Sequence, residues 1–276
     1  MTQSYVNHNH DLWNQWTHLH VETESDYQKE IDRFKAGEST LDPLIVEEVG
    51  TVAGKKLLHL MCHLGLDTLS WAKLGALATG VDFSQESISQ ARQFSTVSGI
   101  PAEFICADVY ALPKRLNGQF DIVYTEGGVL AWLPDLYRWA QVVALCLKPG
   151  GRFYIRDSHP FRRVLFPIAI DVHGQPAYYR YFSPEPTKIE MRGSYAQPNA
   201  DTLYTAYFWV HGIGEIVTAL CSAGLRIEFL HEFPKVYDAL PTSLRTALGQ
   251  FETLVLHDWA IPNTFSLRAS LPMRRE

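Results

Sequence analysis

Lys56-Leu57-Leu58-His59-Leu60-Met61 runs into Cys62-His63-Leu64-Gly65-Leu66-Asp67-Thr68-Leu69-Ser70, an apolar strand that breaks into a short loop and then into a helical period. A near-continuous apolar run of this length suits a strand of a parallel sheet covered on both faces. Working outward, the same rhythm repeats. Asp67 opens a helix through Leu74, and Gly75 stops it. A second strand over 78–81 ends at Asp82, and Ser84 caps a helix to about Val97. A third strand, 103–106, ends at Ala107-Asp108; a fourth covers 120–124. A helix over about 136–147 follows, and Lys148-Pro149-Gly150-Gly151 turns into a fifth strand at 152–156. Strand–helix alternation of this kind predicts a doubly wound sheet.

The flanks read differently. Residues 1–50 are helical in pattern, with Trp13 and Trp16 three apart and Tyr27, Ile31 and Phe34 continuing the period, divided by Gly37 and Pro43. Residues 157–207 carry six prolines (Pro160, Pro167, Pro176, Pro184, Pro186 and Pro198) among many tyrosines, which predicts an insertion, a β-rich excursion or lid. A helix over 214–223 stopped by Gly224, a strand over 225–230 and a last strand over 264–271 resume the pattern, the late strands pairing antiparallel. The expected fold is a Rossmann-like three-layer α/β/α domain with a mostly parallel seven-stranded sheet and a terminal antiparallel strand.

The 276 residues are 46% hydrophobic and 20% charged, with a net charge of −6. That is globular composition with no general attraction to nucleic-acid backbone or anionic membrane. The four cysteines, Cys62, Cys106, Cys146 and Cys221, lie in apolar surroundings without metal-ligand spacing and read as buried free thiols. No signal peptide is visible, and no apolar run nears the roughly 20 residues of a membrane span. A soluble cytoplasmic protein is expected, with no metal; the oligomeric state is not legible.

In an open α/β sheet, ligands bind outside the carboxyl ends of the strands. Asp82 follows the first loop by about 20 residues, where a carboxylate meets ribose hydroxyls. Asp108 lies one strand further out, within reach of an adenine amino group. Together they describe a nucleoside-shaped groove; the competing reading for each is an ordinary capping carboxylate.

At these residues the chain resembles the class I S-adenosylmethionine-dependent methyltransferases over roughly 57–230. It is closest to a bacterial subgroup with a His-Leu-x-Cys-His-x-Gly first loop, here His59 to Gly65. Thr79-Gly80-Val81-Asp82-Phe83-Ser84, Gly128-Val129-Leu130-Ala131-Trp132-Leu133-Pro134-Asp135 and Leu147-Lys148-Pro149-Gly150-Gly151 match as well. The resemblance divides the chain into an N-terminal helical cap, 1–50, and a methyltransferase domain, 51–276, with the insertion inside it. It implies S-adenosyl-L-methionine as cofactor, held by His59, Cys62, His63, Gly65, Asp82, Phe83, Ser84, Ala107, Asp108, Val109, Glu126 and Gly127. Most members place an acidic residue and three glycines in the first loop. Here His59, Met61 and His63 take three of those four places, which predicts a wider loop whose side chains meet the methionine portion, with His63 near its carboxylate.

Methyl transfer needs an aligned nucleophile and sometimes a base. Glu126, His159 and His211 are the catalytic candidates; strand-end polar residues that merely hold loops are the alternative. Glu126 either orients the acceptor or meets the cofactor's ammonium. Trp13, Trp16, Tyr27, Trp132, Tyr178, Tyr179 and Trp209 are the candidates for excluding water or stacking on a flat or cationic acceptor, with plain core packing as the competing role. A small-molecule acceptor is expected. Two other readings stay open: a catalytically inactive binding or sensor protein, and an NAD(P) oxidoreductase. The last lacks the Gly-x-Gly-x-x-Gly that seats a pyrophosphate, and Asp67 would repel one.

Overall fold

The computed structural model describes residues 2–22, 25–165, 169–170, 176–178, 180–197, 200–234, 255–256 and 259–273. Three helices come first: α1 (Thr2–Val21), α2 (Tyr27–Lys35) and α3 (Pro43–Val49). The alternation then runs β1 (Lys56–Leu60), α4 (Leu66–Lys73), β2 (Leu77–Asp82), α5 (Gln85–Ser98), β3 (Glu103–Cys106), β4 (Phe120–Glu126), α6 (Leu136–Cys146) and β5 (Leu147–Ser158). After α7 (Pro160–Leu165) come the hairpin strands β6 (Thr187–Arg192) and β7 (Leu203–Phe208), then α8 (Ile213–Ser222), β8 (Arg226–Phe233) and β9 (Thr264–Ser270). Two-residue ladders join 169–170 to 176–177 and 255–256 to 259–260.

Seven strands form the main sheet in the order β8-β9-β5-β4-β1-β2-β3. Neighbours from β3 to β5 pair in parallel, and β9 runs antiparallel to both β5 and β8. This is the expected Rossmann-like sheet with one reversed strand near its end. Strand five begins earlier than the sequence pattern indicated. Phe120 pairs with Leu147 but Ile122 pairs with Arg152, so the Lys-Pro-Gly-Gly turn is taken up as an irregularity inside the ladder, with Gly150 at φ 80°.

Side chains alternate across the strands and split the interior in two. Leu58, Leu60, Val123, Phe153, Ile155, Phe265 and Leu267 face α6 and α8, where Trp139, Val143, Ile216 and Leu220 complete one core. Leu57, Ile122, Tyr124 and Tyr154 face the opposite way and meet Ile45 and Val49 of α3 and Trp71 of α4. Each fully buried aliphatic or aromatic side chain contributes about 1.5–3 kcal/mol. In α6 the buried positions Leu136, Trp139, Ala140, Val143 and Cys146 mark one helical face, and Asp135 caps its start by accepting from the Arg138 N–H.

The expectation of four buried thiols holds for Cys62 and Cys146 only. Cys106 and Cys221 are exposed. Cys106 ends the edge strand β3, and Cys221 lies on the solvent side of α8, whose buried face is Ile216, Ala219 and Leu220. Among the described residues, no helix is long and apolar enough to cross a membrane.

Strands β6 and β7 pair as an antiparallel hairpin, and α1 lies against it. Leu12, Trp16, Ile189, Ala206 and Phe208 share a separate apolar cluster with Ala131 of the turn after β4. Asn9 joins the two pieces by side chain. Its amide donates to the Tyr207 carbonyl at 2.7 Å and accepts from the Tyr207 N–H at 3.0 Å.

Candidate functional site

The loop after β1 is fixed by backbone bonds. The Cys62 N–H donates to the Val81 carbonyl, and the Gly65 N–H closes a turn onto the Cys62 carbonyl, each at 2.9 Å. Met61, His63 and Gly65 have φ of 60°, 48° and 71°. The expected widening of this loop is therefore not found. Met61 and His63 adopt the left-handed backbone that glycine favours, at a cost of about 1–2 kcal/mol each, and the surrounding bonds hold them there. Gly65 has no such latitude. A Cβ there would stand 2.6 Å from the Phe104 ring and 2.8 Å from the Ala91 methyl.

Asp82 ends β2 beside this loop. One carboxylate oxygen accepts the His63 N–H at 2.9 Å and the other accepts the Ser84 N–H at 2.9 Å. Burial pushes its carboxyl up to about 6, against the pull of those amide donors. The Ala107 N–H donates to the Asp82 carbonyl at 2.9 Å, which brings the end of β3 alongside. Asp108 accepts from the Tyr110 N–H at 2.8 Å and remains half-buried, with Val109 buried behind it. Phe83 meets His10 edge-on, and Ser84 caps α5 through the Ser87 N–H. Glu126 is half-buried at the end of β4, followed by exposed Gly127 at φ 85°. Gly65, Asp82 and Asp108 thus lie along one rim of the sheet.

His59 lies within the sheet, below the loop. Its Nδ1 is 2.9 Å from the Thr68 hydroxyl, its ring meets Tyr124 edge-on, and burial pushes its imidazole down to about 4. The His63 ring turns toward α1 and α5. Its Nε2 is 2.8 Å from His20 Nδ1, and its Nδ1 is 3.1 Å from the Ser87 hydroxyl. Burial pushes the His63 imidazole down to about 3 and that of His20 well below its usual value.

Aromatic side chains from four segments close over the loop. The Trp13 ring is centred 5.1 Å from His63, 5.1 Å from Trp132 and 5.6 Å from Trp16. Tyr27 stacks on His20, and its hydroxyl is 3.0 Å from that of Tyr195. The buried Trp209 reaches the same area through its backbone, donating to the Ala131 carbonyl at 2.9 Å. Tyr178 is 48% exposed; Tyr179 lies outside the described residues.

The two candidate histidines are each held at both nitrogens. His159 accepts the Phe161 N–H at Nδ1 and approaches Glu232 to 2.7 Å at Nε2. Burial lowers its basicity, and Glu232 works against that. His211 Nε2 is 2.7 Å from the Leu133 carbonyl, and its Nδ1 is 3.2 Å from Glu215. Both tie a strand or helix end to a neighbouring segment. Four residues absent from the sequence-derived set also meet here: His20, Ser87, Ser194 and Tyr195. Their separations along the chain left no local pattern to find.

Residues 58–155 match the protein family described as "Methyltransferase domain". Among curated relatives, a ubiquinone biosynthesis O-methyltransferase of Xanthomonas euvesicatoria is 30% identical over 155 residues, 50% of this chain and 64% of the relative. One of the same name from Chromobacterium violaceum is 33% identical over 106 residues, 38% of this chain and 45% of the relative. The chain therefore spans less than two thirds of the length of these relatives. An S-adenosylmethionine-dependent methyltransferase structure from Mesorhizobium loti aligns with a TM-score of 0.54 at 22% identity, covering 83% of this chain and 96% of that one. A geranyl diphosphate C-methyltransferase of Streptomyces coelicolor, solved with S-adenosyl-L-homocysteine, aligns at 0.53 and 10% identity, over 83% of this chain and 75% of that one. Residues 58–155 thus carry the sequence pattern of a methyltransferase domain, on a fold shared with structures of that kind.

Proposed function

We propose that this chain is a cytoplasmic S-adenosylmethionine-dependent methyltransferase of class I acting on a small-molecule acceptor. The observation that carries the reading is the common rim formed by Gly65, Asp82 and Asp108. Asp82 accepts the His63 amide on one oxygen and the Ser84 amide on the other, with the Phe83 amide as a third donor, and we assign its remaining lone pairs to the ribose hydroxyls. Asp108, with one amide donor to its side chain, takes the adenine amino group. The loop from His59 to Gly65, with Cys62 and Gly65 contributing backbone, faces the methionine end; Phe83, Ser84, Ala107 and Val109 line the base and ribose, and Glu126-Gly127 close the far side. The donor, when bound, supplies an electrophilic methyl on a sulfonium carbon. A pyrophosphate suits the rim less well, since Asp67 lies in the first turn of α4, next to where its charge would fall.

Trp13, Trp16, Tyr27, Trp132 and Trp209 serve to exclude water and wall the acceptor side, with Tyr178 and Tyr179 assigned from the same excursion. Of the catalytic candidates, Glu126 is the one we assign to orient the acceptor or hold the donor's ammonium. His159 and His211 take part through the loop ends that they hold. The engagement of both imidazoles favours one alternative, a binding protein that keeps the donor site without turnover. Calorimetry of the whole chain with S-adenosylmethionine and S-adenosylhomocysteine tests the reading. Micromolar binding of both, lost in Asp82→Ala, is expected. A folded chain that binds neither at millimolar concentration overturns it, and binding without turnover on a broad panel of acceptors leaves the sensor.

A further inference from the structure

Where the resembling family has a glycine, this chain has His63, held in glycine's own backbone region. A side chain kept there against that strain has a use elsewhere, and its contacts define one. His63 Nε2 meets His20 Nδ1 at 2.8 Å, and His20 Nε2 meets the Ser194 hydroxyl at 3.0 Å. His63 Nδ1 meets the Ser87 hydroxyl, which is 2.6 Å from the Thr17 hydroxyl, itself donating to the Trp13 carbonyl. Ser84 donates to the Asn14 side-chain carbonyl at 2.8 Å. The chain of bonds links α1, the first loop, the start of α5 and the excursion. His20 is fully buried, and Ser194 is 2% exposed.

All four ring nitrogens of the pair are occupied by protein groups. A general base must keep a lone pair for its substrate, so the pair is not one. It is a joint. We propose that His63 and His20 are positioning residues that fix the cap helix α1 to the cofactor loop, so that seating the methyl donor and closing the cap are one coupled event. The proposal rests on the donor site described above for its coupling, but the joint itself stands on the contacts among His63, His20, Ser87 and Ser194. The backbone amide of His63 donates to Asp82, which we place on the ribose. A ligand that draws on Asp82 thereby acts on the residue that carries α1.

The ionisable groups facing the pair are Tyr27 from α2, Tyr195 from the excursion and Asp82 from β2, with His10 of α1 near Asp82. Both imidazoles are kept neutral by burial. A proton taken up by either ring would place charge in this enclosure and loosen the joint.

Hydrogen exchange of the full chain, read over residues 2–21, tests this with wild type, His63→Gly and His20→Asn. His63→Gly suits the local backbone and relieves its strain, so it is expected to fold; global unfolding in urea verifies this for each variant. In wild type α1 is expected to be protected at pH 7, and exchange, corrected for its intrinsic pH dependence, to speed up as the pH falls below about 6.5. Both variants are expected to lose protection in α1 and to flatten that pH dependence. Saturating S-adenosylhomocysteine should protect α1 about tenfold further in wild type and not in His63→Gly. Folded variants with wild-type protection of α1 overturn the joint. Ligand protection of α1 that persists in His63→Gly overturns the coupling and reduces the pair to packing. If wild type binds no donor yet both variants expose α1, the joint survives and the proposed function fails.

Discussion

The two walls of the proposed site are built by different means. The donor wall of the proposed site consists of strand ends, where Asp82 and Asp108 are oriented by backbone N–H groups two residues on and, for Asp82, also by that of His63 on the neighbouring strand's loop, and Gly65 is fixed by steric necessity. The cap wall consists of side chains from segments far apart, in which Trp13 meets Trp132 and His20 meets Ser194. Backbone geometry at a strand end tolerates little variation, because the ladder sets it. A wall of interlocking rings can be rebuilt with other rings. On the proposed function, the difference teaches that donor recognition would be set by topology and acceptor recognition by the individual sequence.

If that contrast is right, the donor wall breaks harder. The largest effect is expected at Gly65→Ala, where a methyl at 2.6–2.8 Å from Phe104 and Ala91 adds to a positive φ. About 3–4 kcal/mol of stability should be lost in urea unfolding. A loss under 1 kcal/mol would mean that the loop is freer than the contrast requires. Asp82→Ala comes next. Losing two hydroxyl contacts to a carboxylate corresponds to about 3 kcal/mol, or on the order of 100-fold weaker S-adenosylhomocysteine binding by calorimetry.

The pH dependence of stability sharpens the contrast, because buried imidazoles lie on both walls. His59 and His63 are pushed down to about 4 and 3, and His20 downward as well. For a base with a depressed folded pKa, the stability contribution is complete above its unfolded value near 6.5 and is lost as pH falls from there. Asp82, raised to about 6, has the opposite sign. Its contribution is present below about 3.8 and is lost as pH rises through 6. Three imidazoles outweigh one carboxyl, so the unfolding free energy from urea titrations should fall between pH 6.5 and 4, by about 4 kcal/mol or more. The smallest effect is expected at Asp108→Ala. One contact to an adenine amino group corresponds to about a tenfold loss in calorimetric affinity, with little change for a ligand lacking the adenine.

The strands and helices of the sheet were legible because each is long, apolar and bounded by Gly, Asp or Ser. The reversed last strand followed the same signals. The conformation of the first loop was not. Replacing glycines by Met61 and His63 argued for a wider loop, but tertiary bonds from Val81 and Asp82 impose the tight one. The Lys148 to Gly151 turn proved part of a longer strand for a similar reason, since the β4 partner dictates pairing on both sides of it. His20, Ser194 and Tyr195 escaped because their meaning lies in partners up to 174 residues away. Cys106 and Cys221 show the remaining gap: an apolar neighbourhood in sequence does not tell which side of an edge strand or helix faces water.

The pair of hydrogen bonds between Asn9 and Tyr207 has one more consequence. A side-chain amide that offers both a donor and an acceptor to one residue imitates the next strand of a ladder. Helix α1 thereby blunts the outer border of a two-stranded ribbon that would otherwise present open backbone to any passing chain. Trimming residues 2–21 should therefore produce self-association through that ribbon, a hazard that a count of lost apolar contacts would not foretell.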